Sequence, residues 1–376
     1  MSLHLLLLVT TDDELADEVC RLAAVAGCEL RRVGDPDAAG AEWRRASLVL
    51  LDEAALTAWS ATGRPRRPGI VVVGTKPPPG FWRAAFEAGA EQAIELPDDE
   101  ARLVDLLAEA RETPAPRSGR VLAVTGGCGG AGASVLATAT ALAAARRGDR
   151  CLLLDCDPLG GGLDLAVGAE TTAGLRWPGL TVSGGRIAAS ALHEALPGRT
   201  VGSGALTLLS CDREGTGTGM TPQSVRAVLD AGRRAGETVV CDLPRFHDET
   251  TGAVLRQADL TIVVIPAEVR ACAAAARLVA GIHGCGGPIR AVVRGPAPGG
   301  LRTTDVERAV GLDVLTAMRP QAGLPAVMDR AGLGSGRVVA RGPLARTARE
   351  LLAALDGGAD ADAAGPGTET ARVGAA

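Results

Sequence analysis

Val121-Leu-Ala-Val-Thr-Gly-Gly-Cys-Gly-Gly-Ala-Gly-Ala-Ser134 decides how this chain is read. Val121 to Val124 is a short apolar run of buried-strand type. Five glycines between 126 and 132 follow it, and a helical pattern then ends near Gly148, a residue suited to closing a helix. Gly127, Gly132, Ala133 and Ser134 fall on the phosphate-loop spacing, with alanine where that pattern carries lysine. Glycines let successive backbone N–H groups turn inward, and the N-terminus of the following helix adds a partial positive charge. Such a loop can bind phosphate without side chains, and Ser134 stands where a hydroxyl meets Mg²⁺.

Working outward, Cys151-Leu-Leu-Leu-Asp155-Cys-Asp157-Pro158 puts two carboxylates at the C-terminal end of the next strand. Open α/β sheets keep their ligands at those ends. Thr238-Val-Val-Cys-Asp242-Leu-Pro244 is another buried run that ends in an acid, as an Mg²⁺-side aspartate requires. An aspartate after one strand is commonly a helix cap. Three of them in order behind a glycine loop point to a site.

The flanking pattern is α/β throughout. Strand-like runs at 5–9, 47–51, 70–73 and 92–96 alternate with helical patterns at 14–26, 82–88 and 99–110. Further strands are expected at 151–154, 206–209, 238–241, 260–265 and 289–293. Short apolar runs separated by helices predict parallel sheets covered on both faces. The expected organisation is a first domain over 1–111, a Pro/Arg-rich linker at 112–119, a second domain over 120–356 and a disordered polar tail at 357–376.

Composition narrows the function. The 376 residues carry a net charge of −5, which argues against a protein that neutralises many nucleic-acid phosphates. Tyrosine is absent and there are three Phe and four Trp, so a base-stacking platform is not expected. The nine cysteines occur without a C-x-x-C pair and read as small buried hydrophobes in a reducing cytosol. The four histidines show no ligand spacing. No apolar run is long enough to span a membrane, and the amphipathic stretch 343–355 reads as a helix packed on its own domain. Lys76 is the lone lysine among 39 basic residues, so any lysine chemistry must use it.

Residues 120–356 resemble the MinD/ParA family of deviant-Walker P-loop ATPases, and most closely its CpaE-like branch, including the actinobacterial septum-site-determining group. The family's loop is matched by Gly127-Cys-Gly-Gly-Ala-Gly-Ala-Ser134, its D-x-D-P by Asp155 to Pro158, and its D-x-P by Asp242-Leu-Pro244. The resemblance implies an ATP and Mg²⁺ site in which Gly127, Cys128, Gly129, Gly130, Ala131, Gly132, Ala133, Ser134 and Val135 bind nucleotide. Ser134, Asp155 and Asp242 would hold Mg²⁺. If hydrolysis occurs, Asp157 positions water and Asp155 serves on the metal side. Both family lysines are replaced here, by Cys128 and Ala133, so hydrolysis is expected to be weak or absent. Arg294 stands near the position of the base, and Arg245 is the nearest spare cation after Asp242.

The first domain resembles a receiver domain of the response-regulator, flavodoxin-like type. Asp52 ends the third strand at the phospho-acceptor position. Thr10-Thr11 stand where an acidic Mg²⁺ pair belongs, Asp12 and Asp13 follow late and are suited to capping a helix, and Leu96-Pro97 replaces the usual Lys-Pro. A pseudo-receiver used for docking is expected. The resemblance implies a cytoplasmic, homodimeric, ATP-binding spatial regulator for septum placement or for a Tad-type pilus or secretion machine. It would be recruited to membrane or septum through cell-division or pilus partners. A ParA-like cycling ATPase and a nucleotide-free scaffold are the alternatives.

Overall fold

The computed structural model describes residues 5–61, 67, 69–75, 81–111, 118–180, 182, 187–213, 219–334 and 340–363. Lys76 and most of the expected linker, 112–117, lie outside them. The chain divides into two compact units, 1–115 with 182–194 and 116–181 with 195–376.

The first unit alternates β1 (Leu6–Val9), α1 (Asp13–Val25), β2 (Leu30–Val33), α2 (Gly40–Arg45), β3 (Leu48–Leu51), α3 (Glu53–Ala61), β4 (Ile70–Gly74), α4 (Phe81–Ala88), β5 (Gln92–Glu95) and α5 (Glu100–Arg111). Its sheet is parallel, in the order β2-β1-β3-β4-β5. Strand side chains alternate between faces. Leu6 and Leu8 of β1 therefore join one apolar layer with Leu15, Val19 and Leu103 of α1 and α5. Leu7 and Val9 join a second layer with Trp43, Leu56 and Phe81 of α2, α3 and α4. Layers on both faces make this a doubly wound, CheY-like fold.

The second unit begins with β6 (Arg120–Gly126), α6 (Ala133–Arg147), β7 (Arg150–Asp155) and α7 (Leu163–Val167). A 3₁₀ turn (Trp177–Gly179), β8 (Gly198–Val201), β9 (Gly204–Leu209), α9 (Pro222–Arg234), β10 (Thr238–Leu243) and α10 (Glu249–Gln257) come next, while α8 (Ala189–Ala195), which lies between the turn and β8 in the chain, falls in the first unit up to residue 194. The order closes with β11 (Leu260–Pro266), α11 (Val269–Ile282), β12 (Ile289–Arg294), α12 (Thr303–Val310), β13 (Val314–Met318), α13 (Leu324–Ala331) and α14 (Pro343–Ala363).

These strands form one sheet in the order β13-β12-β11-β6-β10-β7-β9-β8, parallel except for the antiparallel pair β8–β9. From β6 the chain moves to β7 on one side and later to β11 on the other. The direction of winding reverses at β6, which puts a ligand crevice at its carboxyl end. One face of the sheet, through Leu122, Val124, Leu153, Ile262 and Val264, packs on Leu136 and Ala137 of α6. The same layer takes in Leu344, Leu351, Leu352 and Leu355 of α14. Helix α14 is thus packed on its own domain, and it continues through Ala363, past residue 357 where the polar tail was expected to start. No helix among the described residues is long and apolar enough to cross a membrane.

Candidate functional site

The glycine loop sits between the buried strand β6 and the N-terminus of α6. Two glycines set its path. Gly127 donates its N–H to Val264 O at 2.8 Å, and a Cβ there would lie 2.8 Å from the Ala275 Cβ, so the loop is seated tightly on β11 and α11. Gly132 precedes α6 at φ 96°, a left-handed conformation that costs a side-chain-bearing residue about 1 kcal/mol or more. The turn aims the start of α6, with its unpaired N–H groups and dipole, toward the sheet's carboxyl edge.

A cavity of about 780 Å³ opens there. Its lining includes Gly126, Cys128, Gly129, Gly130, Ala131, Gly132, Ala133, Ser134 and Val135 from the loop and first turn. Asp157, Pro244, Arg245, Glu268, Arg294 and Arg319 contribute from the ends of other strands. A volume of several hundred Å³ with few polar groups is the ordinary scale of a small-molecule site. The expected loop residues therefore share one cavity, with the exception of Gly127, whose N–H is already given to Val264. Arg245 and Arg294 come to the same cavity from the loop after β10 and the end of β12. Arg319, just beyond the half-exposed β13, is a cation that sequence reasoning missed. The strand that precedes it is too weakly apolar to be told from a loop, so the sequence offered no signal for it.

The three aspartates divide by what their oxygens already do. Asp242 on β10 is buried, its Oδ1 has no hydrogen-bond partner among the described residues, and the Ser134 hydroxyl is close enough to favour its charged form. Burial pushes its carboxyl up to about 8; the Ser134 hydroxyl pulls the other way, and the Asp155 and Asp157 charges add to the rise. A buried carboxylate with an unspent oxygen beside a loop hydroxyl requires a proton or a cation. Ser134 and Asp242 therefore fit a Mg²⁺ ion, which normally takes one or two protein ligands and keeps water and phosphate oxygens. Among the described residues no group of three or more His, Cys, Asp or Glu forms a ready-made metal cage.

Asp155, expected on the metal side, is engaged elsewhere. Its Oδ1 accepts from Asp157 N at 3.2 Å. Its Oδ2 accepts from Leu163 N at 2.9 Å, Ser210 Oγ at 3.1 Å and Cys211 N at 3.5 Å. Like Asp242, it is not part of the cavity lining, so its engaged oxygens are what separate the two. Burial raises its pKa and these four donors lower it. Asp155 holds the 157–163 turn in place, and the buried Trp177 adds a bond from Nε1 to its carbonyl at 2.7 Å. The positioning role comes from Ser210, Cys211 and Trp177, which lie far off in sequence and carry no motif. Asp157 lines the cavity, and its Oδ1 accepts from Leu159 N at 3.0 Å.

The expectation of buried cysteines holds for five: Cys151, Cys156, Cys211, Cys241 and Cys272 are buried, whereas Cys20 is exposed and Cys28, Cys128 and Cys285 are half-buried; all nine are free thiols. A Cys241 hydrogen bond and burial raise the Cys156 thiol well above its ordinary range.

In the first unit, Asp52 is 8% exposed and both its oxygens are in use. Thr10 Oγ1 donates to Oδ2 at 2.5 Å, and Ala55 N donates to Oδ1 at 2.7 Å, capping α3. Thr10 thus fills the space of a metal-binding acid with a neutral donor. Asp12 caps α1 through Leu15 N at 3.1 Å. Leu96 is buried where a receiver carries a lysine.

Comparison with known proteins agrees with this architecture. Residues 9–119 match the family model of the CheY-like N-terminal domain of Rv3660c-like proteins. Over 349 residues the chain is 43% identical to Rv3660c of Mycobacterium tuberculosis strain H37Rv, spanning 92% of this chain and 96% of that protein. A ParA family ATPase from Chlorobium tepidum matches with a TM-score of 0.53 at 15% identity, over 62% of this chain and 98% of its own. The septum site-determining protein MinD from Pyrococcus horikoshii, solved with Mg-ADP, matches at 0.51 and 13% identity, over 63% and 96%. These likenesses show a MinD/ParA-type fold for the second unit.

Proposed function

We propose that this chain, which belongs to the family of the mycobacterial protein Rv3660c, is a nucleotide-binding spatial regulator of the CpaE/MinD kind that takes ATP with Mg²⁺. The observation that carries the reading is the buried, unpartnered Oδ1 of Asp242 beside Ser134, at the foot of a glycine loop opening on a cavity of about 780 Å³. The loop's N–H groups and the α6 terminus bind the phosphates. Ser134 and Asp242 hold Mg²⁺, which when bound supplies countercharge to the phosphate oxygens. Asp157 faces the cavity where a water would be oriented, and Asp155 keeps the turn that carries it.

Cys128 and Ala133 supply no charge at the two positions where the family's lysines stand. Losing a charged donor costs about 1.5–3 kcal/mol in binding, and more where charge develops in a transition state. Binding survives such a loss better than turnover does. The nucleotide then works by shifting the population of a homodimer or a partner complex, which needs no chemistry. The first unit, with Asp52 locked between Thr10 and Ala55, is a docking module in the same proposal. The partners are cell-division or pilus and secretion proteins, and the protein acts from the cytoplasm.

Titration with a fluorescent ATP analogue and Mg²⁺, alongside single-turnover hydrolysis, tests the reading. Binding without turnover is expected. Turnover that disappears in Asp157→Ala identifies a cycling ATPase instead. Absence of binding at millimolar nucleotide, in this protein and in Ala133→Lys, leaves an interaction scaffold.

A further inference from the structure

Arg294 is the last residue of β12, and its backbone is held on both flanks. Its carbonyl accepts from Ala267 N at 3.0 Å, and the next residue, Gly295, donates to Met318 O at 3.0 Å. From this fixed base the side chain crosses to the glycine loop, where Nη1 donates to Gly130 O at 2.9 Å. The guanidinium passes close to Gly132, where a Cβ would make ordinary contact with Nη1 at 3.4 Å. Arg294 ion-pairs with no carboxylate among the described residues, and it is half-buried in the wall of the cavity. A guanidinium carries five N–H donors in a fixed fork, and the bond to Gly130 uses one. Arg245 and Arg319, the other cations of the lining, are exposed.

Ala133 leaves the phosphate-loop lysine position without charge, while a guanidinium from another strand reaches the same loop. We infer that Arg294 is the cation that neutralises the phosphates of the bound nucleotide, in place of the absent loop lysine. The chemistry suits the exchange. Arginine stays charged at every physiological pH and presents two parallel donors to phosphate oxygens, so it serves this task from a distance that a loop lysine would otherwise cover. Arg294 is a binding residue in this account and has no part in proton transfer.

The inference rests on the nucleotide reading above, and a four-protein cycle separates the two. Mg-ATP dissociation constants are measured by calorimetry for the parent, Arg294→Gln, Ala133→Lys and the double variant. Arg294→Gln is expected to weaken binding by ~10- to ~100-fold, the usual worth of a charge-assisted contact. Ala133→Lys is expected to gain less than ~3-fold when Arg294 is present and at least ~10-fold when it is replaced, because two groups doing one job couple. Unchanged binding in Arg294→Gln overturns the inference. So does an equal gain from Ala133→Lys in both backgrounds, which would mean that the two positions act independently. A parent that binds no Mg-ATP at millimolar concentration overturns the nucleotide reading itself, an outcome seen before any variant is compared.

Discussion

Replacing Asp242 by asparagine is expected to stabilise the metal-free second unit, and increasingly so as the pH rises. Burial takes the Asp242 carboxyl from its ordinary value near 3.8 up to about 8 in the folded chain. The unfolded chain therefore releases this proton above pH ~4, whereas the folded chain keeps it until about pH 8. Between those limits the folded state binds more protons than the unfolded state. Its stability is full at the acidic end, falls as pH rises and levels off above the folded value. Each pH unit in the window costs ~1.4 kcal/mol, so a displacement of about four units sets a ceiling of ~6 kcal/mol.

Asparagine is neutral at every pH and escapes this loss. The advantage of Asp242→Asn over the parent should be small near pH 4, grow by up to ~1.4 kcal/mol per pH unit and stop growing above pH ~8. Hydrogen exchange of the β10 segment Thr238–Leu243, measured with a chelator present and compared between the two proteins at each pH, reads it directly. Added Mg²⁺ should recover stability for the parent and leave the variant unmoved. An advantage that does not change with pH, or that shrinks as pH rises, refutes the assignment of an uncompensated buried carboxyl.

Other substitutions test the neighbouring claims. Gly127→Ala places a Cβ 2.8 Å from Ala275 and should destabilise the second unit by ~1–3 kcal/mol in urea denaturation, with weaker nucleotide binding. Gly129→Ala, whose Cβ meets nothing within 4 Å, should leave stability nearly unchanged, and equal losses in the two variants would discredit the loop packing. Asp52→Ala removes the α3 cap and the acceptor of Thr10, so the first unit should lose ~1–3 kcal/mol on thermal unfolding. Incubating the parent with acetyl phosphate and Mg²⁺ should add no phosphoryl group by intact mass; one that appears on the parent and not on Asp52→Ala would restore Asp52 as a phospho-acceptor. Trp177→Phe breaks the bond to the Asp155 carbonyl and should loosen the 157–163 turn by ~1–2 kcal/mol, seen as faster exchange confined to that segment.

Much of the architecture was legible in the linear pattern because buried parallel strands are continuous apolar runs. Runs such as Leu260 to Ile265 and Ile70 to Val73 stand out without context. The strands that went unread are the half-exposed ones. Leu30–Val33 has two arginines at its centre and lies at the edge of its sheet, and Val314–Met318 is mostly half-buried at the far edge of the other. An edge strand with one solvated side carries too little apolar signal to be told from a loop.

The chemistry of the candidate site divides along the same line. Residue types and local spacing disclose a glycine loop, a hydroxyl behind it and aspartates at strand ends, because each depends on neighbours a few positions away. Spacing also discloses the missing lysines at 128 and 133. How each side chain's capacity is spent follows from contacts between distant segments. Asp155 looks like a metal-side acid until Ser210, Cys211 and the 157–163 turn claim its oxygens, and Asp52 looks like a phospho-acceptor until Thr10 and Ala55 claim both of its own. Asp242 keeps a free oxygen because nothing on the strands around it donates there. Arg294, 160 residues beyond Ser134, reaches the loop because β11 lies between β12 and β6 in the sheet. Hydrogen-bonding capacity and charge are finite and are divided among whichever groups folding brings within about 3 Å, so the sequence could nominate these residues and the packing of the sheet assigned their partners.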